Sequence, residues 1–532
     1  MKQSLLKIIL LLCLVGGMAM TGYAQSGIGK TSYNVKDFGA TGDGKTIDTE
    51  PINKAITTAA ANGGGTVYFP AGTYASYSIH LKSHVGLYIE HGATILAADY
   101  KSGEKCYDEP EPNDWSDKLH YQDFGHGHWH NSLIWGENLE DISITGPGMI
   151  YGKGLTRELP DHIGEGNKAI ALKLCRNVIL KDFTILLGGH LAMLLTGIDN
   201  MTIDNIKEDT NRDGMDIDCC HNVHVSNCSV NSPWDDAICL KSSYALGYAR
   251  TTENVTITNC QVSGFDRGTF LNGTYMRTEG KMAPDRQGPT GRIKMGTESN
   301  GGFKGITISN CVFQNCRGLA LETVDGAQLE DITISNITMR DIGNSPIFLR
   351  LGARMRGPKD AAVGNLRRIL ISNVTVYNAD SHFASMIVGI PGHPIEDVKL
   401  NNIRIYYRQI DSPAVRIQKN VAEYIHDYPE PQRFGVLPVY GFFIRHAKNI
   451  ELNNVEVSFL GQETRPAMIL EDIQGVSLMN FKAQTTGNVP ALIQRGVEGL
   501  NIYPERSIPE DKIKKEPVPA TIPDPPPFKG QH

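Results

Sequence analysis

A nine-residue pattern of alternating apolar and polar positions recurs along the chain. It starts at Asn177 (NVILKDFTI), Asn200 (NMTIDNIKE), Asn222 (NVHVSNCSV), Asn254 (NVTITNCQV) and Gly305 (GITISNCVF). It returns at Asp331 (DITISNITM), Arg368 (RILISNVTV), Asp397 (DVKLNNIRI), Asn449 (NIELNNVEV) and Gly475 (GVSLMNFKA), with a weaker copy at Asp141. Alternation with period two is the mark of a half-buried strand. An Asn or Asp often sits sixth, where the chain can bend. Starts are mostly 22 to 37 residues apart, with two gaps near 50.

Short strands at regular spacing fit a sandwich or barrel, or a parallel solenoid. Sandwich strands alternate in direction and vary in sequence. Here the same strand returns with the same Asn, which favours coils stacked in register about 4.8 Å apart. The expected fold is therefore all-β: a single-stranded right-handed parallel β-helix spanning residues 32–505. Stacking would align the repeated Asn and Cys as ladders inside. Helical periodicity is confined to Thr49–Ala61 (TEPINKAITTAAA), a segment suited to cap the first coil. Residues 506–532 are Pro-rich and charged and read as a loose tail.

The first 24 residues read as a signal peptide. Lys2 and Lys7 precede an apolar run from Ile8 to Val15, and small residues lead to Ala24. The run is well short of the ~20 residues that span a bilayer. Leu12 before Cys13 argues against a lipoprotein. The expectation is an exported protein, periplasmic or secreted, with no membrane insertion.

Composition narrows the classes further. The chain has 532 residues, 40% of them hydrophobic, with 51 Lys+Arg against 58 Asp+Glu, hence a net charge of −7. That is ordinary for a globular protein, and the weak acidity argues against a nucleic-acid partner. The 55 glycines point to many tight turns. Nine cysteines follow Cys13, an odd number without regular spacing, so they read as core residues, not as a disulfide framework or zinc site.

Two acidic segments stand on adjacent coils: Asn211 to Asp218 (NRDGMDID) and Trp234 to Lys241 (WDDAICLK). Asp213 and Asp235 are 22 positions apart, matching Asn200 and Asn222. Stacking then gathers Asp213, Asp235 and Asp236 in one patch. Carboxylates that close cannot all ionise easily, so one should keep its proton. A carboxylic acid beside a carboxylate is what glycoside hydrolysis requires. Asp216 and Asp218 alternate along a strand and read as structural.

These residues resemble glycoside hydrolase family 28, the polygalacturonase-like pectin hydrolases. Val35 to Gly44 (VKDFGATGDG), Asp48, Asn53 and Gly63 to Pro70 (GGGTVYFP) are similar to the N-terminal cap of bacterial members, a motif shared with other β-helix enzymes. The family's Asn-Thr-Asp is matched by Asn211-Arg212-Asp213, with Arg for Thr, and its Asp-Asp by Asp235-Asp236. The resemblance implies Asp235 as general acid, Asp213 and Asp236 holding and activating the water, inversion of configuration, and no metal or other cofactor.

Two family motifs are altered. The Gly-His-Gly segment corresponds to Thr290 to Ser299, which has no His and follows an insertion from about Phe265 to Pro289. The Arg-Ile-Lys position, one coil on, carries Glu322 instead of Lys, while an Arg292-Ile293-Lys294 stands one coil earlier. In the family these cations meet the substrate carboxylate. Glu322 there would repel a uronate. Two readings stay open: Arg292 and Lys294 reach the carboxylate from the neighbouring coil, or the bound sugar is different and neutral.

Further candidates surround this cluster. His126, His128, Trp129 and His130, with Trp135, lie in a Gly-bounded loop that can contact sugar or bind metal. His190 falls about one coil before Asp213, and Trp234 adjoins the Asp pair as a possible wall. Arg350, Arg354 and Arg356 can grip an acidic polymer or solvate a loop. The leading expectation is an exported hydrolase acting on a plant cell-wall-type polysaccharide of the pectin class. The alternatives are a β-helix polysaccharide lyase and a carbohydrate-binding β-helix without catalysis.

Overall fold

A computed structural model describes residues 31–158, 160–278, 288–409, 417–504 and 507–525. The segment read as a signal peptide, with Cys13, lies outside the described residues, as does part of the 265–289 insertion. The fold is a right-handed parallel β-helix: one 35-stranded parallel arrangement in which each coil pairs with the next. Apolar side chains stack at matching register. Ile134, Ile170, Met193, Met215, Ile238 and Ile293 form one inward row. Leu172, Leu195, Ile217, Leu240 and Met295 form the next, and all of these are buried.

The repeated polar residue acts at the corners. Asn205, Asn227, Asn259, Asn310, Asn336, Asn373, Asn402, Asn454 and Asn480 all have φ between 52° and 58°. Asn tolerates this left-handed region because its short amide hydrogen-bonds locally. Contrary to the expectation of an internal ladder, the asparagines form exposed ones. Asn336 Nδ2 donates to Asn310 Oδ1 at 3.0 Å, and Asn373 Nδ2 to Asn336 Oδ1 at 3.0 Å. An amide inside the coil would forfeit water without gaining a better partner, so the corners are where it belongs. The cysteines are the internal set: nine are free and buried.

The helix Thr49–Ala61 caps the first coil with Ile52, Ala55, Ile56 and Ala59 buried. Asp48 ties it down by accepting from the N–H groups of Thr41 and Gly42 at 2.8 and 3.0 Å. At the other end the tail is not wholly loose. The strand Ile513–Glu516 pairs in parallel with Leu492–Tyr503, and Asp524 accepts from the N–H of Tyr424 at 2.7 Å. The expectation from Pro content missed this because a short Pro-free stretch (IKKE) can still extend the sheet.

One outward row positions the site. Register sets Ala171, Leu194, Asp216, Cys239, Lys294, Ala320 and Phe348 side by side. Loops cover both ends of this row. Trp129 and Ala245 pack over Ala171 and Leu194, and Phe434 and Leu437 pack over Ala320 and Phe348. The polar middle lies between the two covers. Among the described residues, no helix is long and apolar enough to cross a membrane.

Candidate active site

The coil carrying Asp235 is one residue longer than the repeat before it. Leu191 pairs with Asp213, an offset of 22, but Met215 pairs with Ile238, an offset of 23. Asp213 therefore stands beside Asp236, not Asp235 as equal spacing predicts. The N–H of Asp236 donates to Asp213 Oδ1 at 3.1 Å. Arg212 consequently stands beside Asp235, and its Nη2 donates to Asp235 Oδ2 at 2.9 Å. The three carboxylates still meet: an oxygen from each of Asp213, Asp235 and Asp236 lies within 4.8 Å of the others.

Their environments differ in a way that separates their protonation. Asp213 and Asp236 are buried, whereas the side chain of Asp235 is 18% exposed. Burial and the charge of Asp213 push Asp235 up to about 6, against the pull of Arg212. Burial works the same way on Asp236, but Lys294 and Arg292 overcome it and hold that carboxyl at about 2. Lys294 Nζ lies 3.3 Å from Asp236 Oδ2, and Arg292 Nε donates to Asp236 Oδ1 at 2.8 Å. The site thus pairs an acid that keeps its proton in weakly acidic solution with a carboxylate that stays ionised.

Arg292 and Lys294 stand inside the acidic cluster. Arg292 is 1% exposed and also donates to Glu430, while Lys294 is 2% exposed and lies 3.6 Å from Glu322 and 3.1 Å from Tyr428 Oη. Their partners in the structure are the protein carboxylates of Asp236, Glu322 and Glu430. Glu322 is fully buried between Arg292 and Lys294, a cation on either side, and is not a bare anion facing the substrate. Burial pushes its carboxyl up to about 7, against the pull of Lys294 and Arg292.

An imidazole does enter the site, from a distant loop. His126 Nε2 lies 3.0 Å from Asp216 Oδ2 and 3.7 Å from Asp213 Oδ2. Burial and Lys241 push its pKa down, but Asp216 and Asp213 hold it up at about 10, so the ring is an imidazolium. Asp216, read from sequence as structural, therefore belongs to the site. Asp218 does not: it accepts from the N–H and Oγ of Ser243 at 2.8 and 2.6 Å.

The other loop residues serve the scaffold. Trp129 is fully buried and donates to Thr196 Oγ1 at 3.1 Å, which excludes sugar contact. His128 lies 2.9 Å from Asp117, and His130 3.0 Å from Glu137 while stacking on Trp135. His190 is buried, with Nδ1 donating to the Arg157 carbonyl at 2.8 Å. Trp234 is half-buried beside Asp235 with Arg157 3.3 Å from its ring centroid. The arginine cluster faces inward. Arg350 donates to the carbonyls of Gly389 and Tyr424, Arg354 to Asp325, and Arg356 to Glu298.

Two triples could hold a cation, His126 with Asp213 and Asp216, and Asp213 with Asp235 and Asp236. Each already has protein positive charge beside it. The chain that closes the site also supplies Tyr428 and Glu430, residues with no motif in sequence; their partnership with Lys294 and Arg292 spans more than 130 positions.

Residues 121–266, which hold the Asp trio, match the family model "Glycosyl hydrolases family 28", and residues 32–99 match "Rhamnogalacturonase A/epimerase, pectate lyase-like". A probable polygalacturonase of Vitis vinifera is 24% identical over 409 residues, 70% of this chain and 74% of that one. The family 28 exopolygalacturonase of Yersinia enterocolitica superposes with a TM-score of 0.59 at 19% identity, over 84% of this chain and 78% of that one. The hyperthermoactive exopolygalacturonase of Thermotoga maritima does so with 0.55 at 19%, over 72% and 88%.

Proposed function

We propose that this chain, whose residues 121–266 match the family 28 glycosyl hydrolases, is a polygalacturonase-like hydrolase that cleaves the glycosidic bonds of a pectin-type polysaccharide with Asp235 as its general acid. The observation that carries this reading is the split between neighbours: Asp235 up at about 6 and Asp236 down at about 2, within one cluster. Asp235, at the accessible edge, protonates the leaving oxygen as the bond to the anomeric carbon breaks. Asp236 and Asp213, on the floor, hold a water and take its proton as it attacks. Lys294 and Arg292 keep Asp236 ionised for that role.

Inversion is the outcome the family resemblance carries. The oxygens here lie closer than the ~6.5–9.5 Å usual between inverting carboxyl groups, so the water would sit across the Asp213–Asp236 pair and not midway between acid and base. The loops over both ends of the row favour a short cleft that takes a chain end. Export to the periplasm or medium, with a plant cell-wall polysaccharide as the natural substrate, completes the proposal.

The test is product analysis on homogalacturonan, rhamnogalacturonan and their oligosaccharides, with the first-formed anomer read by proton NMR. New reducing ends, an inverted anomer and mainly monomer or dimer products are expected. Products that absorb ultraviolet light without water uptake would overturn hydrolysis in favour of elimination. Undiminished turnover in Asp235→Asn would remove Asp235 from the role of acid.

A further inference from the structure

Arg292 and Lys294, the cations expected to meet a uronate carboxylate, are already engaged by Asp236, Glu322 and Glu430, so a uronate carboxylate would have to compete with three protein carboxylates for them. Three guanidinium groups stand at the accessible edge instead. The side chain of Arg212 is 22% exposed, and Arg157 and Arg267 are half-buried and lie over the Trp234 ring, 3.3 and 4.6 Å from its centroid. Trp234 itself adjoins Asp235. The edge of the cluster is therefore cationic where its floor is acidic.

Arg212 is the best placed of the three. Its Nη2 donates to Asp235 Oδ2. Its Nη1 lies 3.2 and 3.3 Å from Nδ1 and Nε2 of His190. Nδ1 carries the proton given to the Arg157 carbonyl, so Nε2 is the ring nitrogen left to accept from Nη1. Its Nε is buried and has no acceptor. A guanidinium offers five N–H donors in a fork that fits a carboxylate, and here one carboxylate oxygen engages one of its nitrogens well.

We propose that Arg212, flanked by Arg157, is the substrate-carboxylate contact of this enzyme, and that an incoming uronate competes with Asp235 for it. The bound sugar carboxylate takes the fork, and Asp235 loses its counter-ion next to the bond it must protonate. An acidic substrate would thereby prepare its own acid, whereas a neutral sugar would leave Arg212 on Asp235. This rests on the pectin-hydrolase reading and specifies how that site selects its sugar.

The experiment compares full-length wild type, Arg212→Gln, Arg212→Lys and Arg157→Ala on oligogalacturonides and on the same oligosaccharides with methyl-esterified carboxyls. Binding of free galacturonate is measured in parallel by calorimetry. Wild type should prefer the acid form. Arg212→Gln should collapse the acid-to-ester ratio of kcat/KM by ten- to a hundredfold, the span expected for a charge-assisted contact. Arg212→Lys should recover part of it, and Arg157→Ala should lose less. A ratio unchanged in Arg212→Gln, or a wild type that prefers the ester, would overturn the proposal. If wild type cleaves neither substrate, the pectin reading fails, and calorimetry alone decides the carboxylate contact: galacturonate binding weakened at least tenfold in Arg212→Gln upholds it, and binding that is absent or unaltered rejects it.

Discussion

His126 Nε2 lies 3.0 Å from Asp216 Oδ2, joining a loop residue to the acidic segment 90 positions further along the chain. The pair forms because a loop before the strand Ile134–Glu137 folds back over the sheet. Nearby charge makes the ring a cation: its pKa rises from 6.5 to about 10. A group whose pKa is raised on folding stabilises the protein fully below its unfolded value, and loses that contribution as pH rises through the folded one. His126→Gln should therefore unfold more easily than wild type at pH 6, by several kcal/mol, and the gap should narrow toward pH 10. Urea unfolding at pH 6 and pH 9.5 checks this; an equal gap at both would mean a neutral ring.

The protonation of Asp235 sets the pH dependence of turnover. The acid form is lost as pH passes about 6, so kcat/KM should fall about tenfold per unit above that value. The base should impose no limit in the range of ordinary carboxylates, because Asp236 stays ionised down to about 2. Asp235→Asn keeps the shape and removes the proton, and should lower kcat by about 10²–10⁴-fold. A rate profile with its descending limb near pH 4 would assign the acid elsewhere.

How far the sequence reveals this depends on distance along the chain. The alternating strands and bend-forming Asn are local signals, so the solenoid was legible from about ten repeats. The Asp trio was legible because stacking brings coils together at nearly constant spacing. The single extra residue between Met215 and Ile238 leaves no local mark, because the repeat spacing alone predicts coils of equal length. That shift of one is what places Arg212 against Asp235. His126, Tyr428 and Glu430 arrive through loops whose paths no repeat records, and so does the ion network that Arg292 and Lys294 form with Asp236, Glu322 and Glu430.

The corner asparagines can be separated into conformation and hydrogen bonding. Asn336 has φ 57° and bonds both Asn310 and Asn373. Asn336→Ala should cost about 1–2 kcal/mol, mostly from placing a Cβ in the left-handed region. Asn336→Gly relieves that strain and should lose less. Equal losses in thermal or urea unfolding would assign the effect to the ladder bonds.

The pair formed by Lys294 and Glu322 should behave asymmetrically. Lys294 lies 3.3 Å from Asp236 and 3.6 Å from Glu322. Lys294→Met leaves a buried carboxylate short of its cation, a change that typically costs about 3–5 kcal/mol, and it should also depress turnover by letting Asp236 take up a proton. Glu322 differs, because its pKa is raised from 4.5 to about 7 by burial. The folded protein then binds more protons than the unfolded chain between those values, so this group makes stability fall as pH rises through that window. Glu322→Gln imitates the protonated form. It should be nearly neutral at pH 4 and stabilising relative to wild type at pH 7, the difference building between 4.5 and 7 and levelling off above. Unfolding measured at the two pH values separates this from an obligatory ion pair, for which Glu322→Gln would be destabilising at both.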